Sequence, residues 1–221
     1  MKKLIYALLS LNIIGFSYLA YADGWFYSVA SSVTCTDFGT LPTADYSVVW
    51  SRSSGADCFA MVDDPIGTPD DNATYIYVTT NNSTQGFTTL PVLASGCDTI
   101  TSLILRYRAK RVNNVDGTQM RGDIVVGGTA YVGSDKTLTD SWADYTNTWS
   151  SNPKRVAACV GVDNPFVGCT GAGTGTVPWT HDDLEGTGTY GLDYWELETR
   201  GLNGTGEQVD VTQAYPEVNY P

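Results

Sequence analysis

Histidine occurs once in the 221 residues, and glutamate and lysine only five times each. One histidine makes a zinc site of the usual Cys/His composition poor, and it leaves a single base for any Ser/His/Asp arrangement. No G-x-S-x-G elbow and no C-x-x-C pair is present. The scarcity of charged helix-formers argues against a helical bundle. Positive charge is also scarce: 12 Lys and Arg stand against 24 Asp and Glu, a net charge of −12. Nucleic acid and anionic membrane need basic patches, so both are excluded as main partners. Charged residues make up only 16%, against 42% hydrophobic and 12% aromatic. A disordered acidic tail lacks that apolar content, so the chain folds around a core. The 23 Gly and 14 Tyr, with many Thr and Ser, favour β-structure.

Only one long apolar run exists, Leu4 to Ala20, preceded by Lys2 and Lys3 and followed by Ala20-Tyr21-Ala22. A basic start, an apolar stretch and an A-x-A site read as a secretory signal peptide over residues 1–22. Its removal leaves 199 residues at about −14, enough for one domain. The expected organisation is therefore 1–22 signal peptide, 23–36 N-terminal strand segment and 37–221 β-sandwich domain. Secretion makes disulfides the default for Cys35, Cys58, Cys97, Cys159 and Cys169. Cys159 and Cys169 bracket a short Gly- and Pro-containing segment and form the best local pair. Cys58 with Cys97 is the next candidate, which leaves Cys35 for a contact between subunits.

Along the body, apolar residues recur with period two. Leu103, Leu105, Tyr107 and Ala109 alternate with Arg106, Arg108 and Lys110, which predicts a half-buried strand. Tyr75 to Thr80, Gly86 to Leu90, Gln119 to Val126 and Thr129 to Val132 also read as strands, the last two joined through Gly127-Gly128. Val209 and Val211 alternate with Asp210 and Thr212, and the parity then slips near Pro216, which predicts a bulge or an edge. A turn of helix near His181 to Gly186, capped by Thr180, is the only helical candidate. Ser51–Asn72 and Ser150–Thr180 read as long loops. Short strands at turn-punctuated intervals predict an all-β, antiparallel β-sandwich or jelly roll.

Several short motifs carry a resemblance. They are Val62-Asp63-Asp64, Pro69 to Ile76, Arg121 with Gly127 to Tyr131, Tyr145 and Trp149, Pro178-Trp179-Thr180 with Asp183-Leu184, Gly191, and Val211 to Tyr215 with Glu217 to Tyr220. From about Ser47 to Tyr220 the chain resembles β-sandwich modules of phage structural proteins and of secreted bacterial and archaeal surface proteins. The resemblance implies a sandwich with a structural or binding role, and it implies no catalytic residues.

Individual residues offer several chemistries. Glu196 and Glu198, in Asp193-Tyr194-Trp195-Glu196-Leu197-Glu198, would share one strand face about 7 Å apart. Retaining glycosidases hold their two carboxylates about 5–5.5 Å apart, so a solvated strand face is the simpler reading. Asp63, Asp64, Asp70 and Asp71, with Asn72, supply oxygen ligands on one loop and form a weak calcium candidate, without the EF-hand spacing. Arg121-Gly122-Asp123 matches an adhesion tripeptide but falls inside a predicted strand. Trp142, Trp149, Trp179 and Trp195 are large enough to stack on sugars, although core packing is the ordinary use of most of them.

The charge distribution points furthest. Arg106, Arg108, Lys110, Arg111 and Arg121 lie within 16 positions and make up half of the basic residues outside the signal. A basic face on an acidic chain suggests that copies associate head to tail. Trp25, Tyr27, Val29 and Val33 alternate in the N-terminal segment, which suits it to adding a strand to a neighbour, with Cys35 placed to lock the joint. The expectation is thus a secreted structural protein, a non-enzymatic subunit of an extracellular filament or surface assembly whose partner is itself. The alternative is a carbohydrate-binding or adhesin-type sandwich module, and a glycoside hydrolase comes third. No cofactor is expected beyond calcium.

Overall fold

The structure is a computed structural model that describes residues 21–22, 25–26, 38–39, 44–47, 50–54, 57–88, 100–113, 117–158, 177–186, 189–202 and 206–221. The chain divides into two compact units, Met1–Thr34 and Cys35–Pro221. In the first, β1 (Tyr21–Ala22) pairs antiparallel with β2 (Trp25–Phe26). Trp25 is thus partnered by Ala22 of its own chain, while Tyr27, Val29, Val33 and Cys35 lie outside the described residues. Residues 1–20 of the expected signal peptide lie outside them too.

The second unit holds β3 (Phe38–Gly39), β4 (Ala44–Ser47), β5 (Ser51–Arg52), β6 (Ile76–Val78), β7 (Thr84–Thr88), β8 (Ser102–Val112) and β9 (Gln119–Val126). It continues with β10 (Thr129–Val132), β11 (Lys136–Thr137), β12 (Ala143–Trp149), β13 (Leu192–Arg200) and β14 (Gln208–Asn219). They form two antiparallel sheets, a β-sandwich. The first runs β10-β9-β13-β7-β4, with β11 also on β9. The second runs β12-β8-β14-β6-β5, with β3 also on β14.

Alternation builds the core. Leu103, Leu105, Tyr107 and Ala109 of β8 point inward with Val209 and Val211 of β14. Met120, Ile124 and Val126 of β9 join Trp195 and Leu197 of β13, and Trp195 stacks on Phe87 with ring centroids 4.6 Å apart. Each fully buried side chain of this size contributes roughly 1.5–3 kcal/mol relative to exposure. The predicted β9–β10 hairpin has the expected bounds, and its turn needs its glycines. Gly127 and Gly128 take φ of 50° and 77°, and a Cβ on Gly127 would sit 2.0 Å from the Thr189 carbonyl oxygen. Asn147 of β12 ties the two sheets together. Its Oδ1 accepts from Gly122 N at 2.8 Å and faces the Tyr107 hydroxyl at 3.2 Å, and its Nδ2 donates to Ser134 O at 2.9 Å.

Three expectations change. The Ser150–Thr180 segment is not wholly loop, because Pro153–Ala158 is a helix. Asn152 starts it: its Oδ1 accepts from Lys154 N and Arg155 N, as an N-cap does, and Pro153 suits the first helical position. The predicted turn at His181–Leu184 is present, with Thr180 and Asp183 forming a capping box. Cys58 is a fully buried thiol whose Sγ lies 3.7 Å from the Trp50 carbonyl oxygen, so the expected bridge to Cys97 is not made. Cys97, Cys159 and Cys169 lie outside the described residues. The third change, the position of the slip in β14, shapes the site described next. Among the described residues, no helix is long and apolar enough to cross a membrane.

Candidate functional site

The parity slip falls at Thr212, four residues before the predicted Pro216. Val211 pairs with Ala109 and Gln213 with Arg108, so Thr212 is the extra residue of a bulge. Before it, odd-numbered residues Val209 and Val211 face the core. After it, Ala214 and Val218 do, and Gln213, Tyr215 and Glu217 turn outward. The next strand, β8, presents Arg106 and Arg108 on the same face, and β12 presents Asp144.

A loop is fastened to the same bulge. Ala214 N donates to Val62 O, Asp63 bridges Gln213, and Gln213 Nε2 donates to Asp64 O at 2.9 Å and Pro65 O at 3.0 Å. The Thr212 hydroxyl donates to Thr74 O at 2.9 Å. The loop then stands as a wall over the sheet face. Asp71, with φ of 55°, reaches Arg108, Oδ1 accepting from Nε at 2.5 Å and Oδ2 from Nη2 at 2.9 Å. The left-handed backbone at a non-glycine residue is a local strain that the paired guanidinium holds in place.

The result is a groove of about 470 Å³ lined by Gly67, Pro69, Arg106, Arg108, Asp144, Gln213, Tyr215 and Glu217, with Tyr107 and Tyr145. Arg106 donates from Nε and Nη2 to the two oxygens of Glu217 at 2.7 and 2.8 Å. Arg108 also donates from Nη1 to Asp144 at 3.2 Å. Several polar atoms have no hydrogen-bond partner among the described residues: Arg106 Nη1, the Gln213 Oε1, the Tyr215 hydroxyl and one oxygen of Asp144. Beside the groove, Trp142 donates from Nε1 to Asn72 Oδ1 at 3.1 Å. Lys110 Nζ lies 4.5 Å from its ring centroid, and Tyr75 meets it edge-on at 6.4 Å. Among the described residues, groups of this kind supply hydroxyl-scale donors and acceptors beside an aromatic surface.

The expected basic face is not assembled. Arg106, Arg108 and Lys110 lie on the outer face of the second sheet, whereas Arg121 lies on that of the first. All five cations meet acids of the same chain: Arg106 meets Glu217, Arg108 meets Asp71 and Asp144, and Lys110 meets Asp210 at 3.6 Å. Arg111 meets Asp140 at 2.6 Å, and Arg121 meets Glu198 at 2.6 Å and Asp123 at 3.1 Å. The 16-position cluster reflects two consecutive strands that lie in different sheets, and, Asp123 beside Arg121 apart, the acids that neutralise it are distant in sequence.

The other sites resolve in the same way. Asp71 is spent on Arg108, Asp70 accepts from Thr74, and Asp64 accepts from Asp70 N at 2.7 Å. Burial pushes the Asp64 carboxyl above its ordinary range. Among the described residues, no group of three or more acidic, histidine or cysteine side chains is placed to hold a metal, so the four aspartates do not converge as the calcium reading needs. The Arg121-Gly122-Asp123 tripeptide is occupied within its strand, with Asp123 buried and accepting from Gly133 N at 2.8 Å. Glu196 and Glu198 do share a face, but on the first sheet, opposite the groove; Glu198 is held by Arg121 and Arg200. Trp179 and Trp195 are core, Trp149 packs against it, and Trp142 is the tryptophan that reaches the groove side. The sequence reading missed Gln213, Tyr215, Glu217 and Asp144. The parity slip in β14 was the available signal, and placing it at Thr212 turns three of the four outward.

No family model and no curated protein matches the chain. Among solved structures, it is similar to a family 4 carbohydrate-binding module (CBM4), with 11% identity, TM-score 0.34, and coverage of 69% of this chain and 89% of that one. It is also similar to a mutant of the family 29 carbohydrate-binding module CBM29-2, with 11% identity, TM-score 0.34, and coverage of 82% and 91%. An exo-β-agarase matches with 12% identity and TM-score 0.38, over 93% of this chain and 25% of that one. The likenesses named are to two carbohydrate-binding modules and an agarase, and the expectation of a filament subunit is withdrawn. The basic face that supported it is closed by ion pairs within the chain.

Proposed function

We propose that the chain is a secreted, non-catalytic glycan-binding module that seats a saccharide chain in the groove between the Asp63–Thr74 loop and strands β8, β12 and β14. The groove itself carries this reading. Its floor is made of planar, fixed polar side chains that still offer donors and acceptors, beside a tyrosine ring and a surface tryptophan. A sugar offers hydroxyls that each donate and accept, together with an apolar ring face, and this floor offers both complements. Fixing Arg106 through Glu217 and Arg108 through Asp71 orders the site before the ligand arrives, which lowers the ordering cost of binding. Both oxygens of Glu217 face guanidinium donors and so are not aimed at a ligand, an arrangement for holding, not for proton transfer. Secretion follows from the N-terminal Lys2-Lys3, apolar run and Ala20-Tyr21-Ala22 pattern.

The test is titration calorimetry of the mature chain against a panel of soluble oligosaccharides and polysaccharides. Binding of at least one of them, lost when Arg106→Ala and Tyr215→Phe are combined, is the expected result. Binding that survives this double variant would move the site elsewhere. Folding of the variant is checked by circular dichroism.

A further inference from the structure

We propose that the groove selects uncharged glycans and turns away acidic ones, and that Glu217 and Asp144 set this selectivity. The inference rests on the groove being the glycan site. Its cations are Arg106 and Arg108, and the Nε/Nη2 edge of each, the side that pairs most readily with a carboxylate, is already closed to a ligand. Nε and Nη2 of Arg106 are taken by Glu217, and Nε and Nη2 of Arg108 by Asp71. The remaining Nη1 of Arg108 donates to Asp144, whose side chain is 77% exposed at the rim.

The guanidiniums of Arg106 and Arg108 are therefore set among three carboxylates, Glu217, Asp71 and Asp144. The local balance is negative, on a chain whose net charge is −12. A uronate or sulfate entering the groove would meet this excess at short range, where screening by salt is least effective. Arg106 Nη1 and the Tyr215 hydroxyl can donate to it, but the other two open groups cannot. A carboxylate only accepts, while Gln213 Oε1 and the uncommitted oxygen of Asp144 also only accept. A neutral sugar hydroxyl donates to those two and accepts from Arg106 Nη1 and the Tyr215 hydroxyl. The same pairs that order the floor thus decide the charge of the ligand.

Affinity electrophoresis and calorimetry of the mature chain against neutral polysaccharides (β-glucan, xylan) and an acidic one (polygalacturonate) provide the test. The proteins are wild type, Glu217→Gln and Asp144→Asn, each checked by circular dichroism. Wild type is expected to bind a neutral polysaccharide with little dependence on salt and to leave polygalacturonate unbound. Glu217→Gln removes a negative charge and one of the two acceptors that hold Arg106, and polygalacturonate affinity is expected to rise by about tenfold or more at low salt and to fall again in about 0.5 M NaCl. Asp144→Asn lies on an exposed rim residue and tests the same point without touching the floor, with a smaller rise expected. Wild-type binding to polygalacturonate as tight as to the neutral polymers overturns the selectivity while leaving the glycan reading intact. An unchanged preference in both variants also overturns it. Failure of wild type to bind any polysaccharide overturns the glycan reading and this inference with it.

Discussion

The outer faces of the two sheets are built from the same materials and do different things. On the first sheet, Arg121 meets Asp123 and Glu198, and Glu198 also meets Arg200. This lattice is closed over: Asp123 is 1% exposed and also accepts from Gly133 N. On the second sheet, Arg106 and Arg108 meet Glu217, Asp71 and Asp144, but the Thr212 bulge and the loop docked on it leave a groove above them. Arginine–carboxylate pairing is therefore no sign of function by itself. What distinguishes the two faces is whether donors and acceptors remain and whether there is space to reach them.

The comparison breaks most visibly at Arg121. Arg121→Ala strands the buried Asp123 carboxylate, whose burial already pushes it above its ordinary range, and should cost about 3 kcal/mol in urea unfolding. Glycan affinity of the folded fraction should stay unchanged. An effect below about 1 kcal/mol would mean that the first face is not a structural lattice. Asn147→Ala acts between the sheets. It leaves Gly122 N without its acceptor, while the Tyr107 hydroxyl keeps Met120 O, for a loss of about 2 kcal/mol with little change in affinity, read by the same unfolding curves.

Arg106→Ala should invert the pattern. The Arg106–Glu217 pair is partly exposed, 38% and 16%, so stability should change by less than about 1 kcal/mol while glycan affinity drops about tenfold or more. Calorimetry and unfolding on one sample separate the two. The smallest effect concerns Glu196 on the first face. Burial, then Asp123 and Glu198, push its carboxyl above the ordinary value near 4.5. The folded chain then keeps a proton that the unfolded chain releases above that value, so its charge costs stability at pH 7 and not at pH 4. Glu196→Gln should gain on the order of 0.5 kcal/mol at pH 7, and that gain should vanish at pH 4. An equal gain at both pH values would remove the electrostatic account.

Much of the sandwich is legible along the chain because strand alternation is a local signal. Gln119 to Val126, Thr129 to Val132 and the Gly127-Gly128 turn have the bounds that their pattern predicts. The capping box at Thr180 and Asp183 is equally local. The helix at Pro153–Ala158 escaped because six residues are too few to show a period, although Asn152-Pro153 carries the start signal.

By itself, then, the sequence determined the class of fold, the secretory expectation and the acidic balance, since these depend on composition and on neighbours two to four residues apart. Tertiary structure decided the site. Whether five clustered cations form an open face or five closed pairs depends on Glu217, Asp71, Asp144, Asp210, Asp140 and Glu198, which lie between 29 and 111 residues away from their partners wherever a hydrogen bond records the pair. Whether Gln213, Tyr215 and Glu217 face the core or the groove depends on a bulge of one residue, and that residue is selected by the strand and loop packed on either side of it. Side-chain direction in a strand reverses with each step, so a single inserted residue moves three side chains from core to groove.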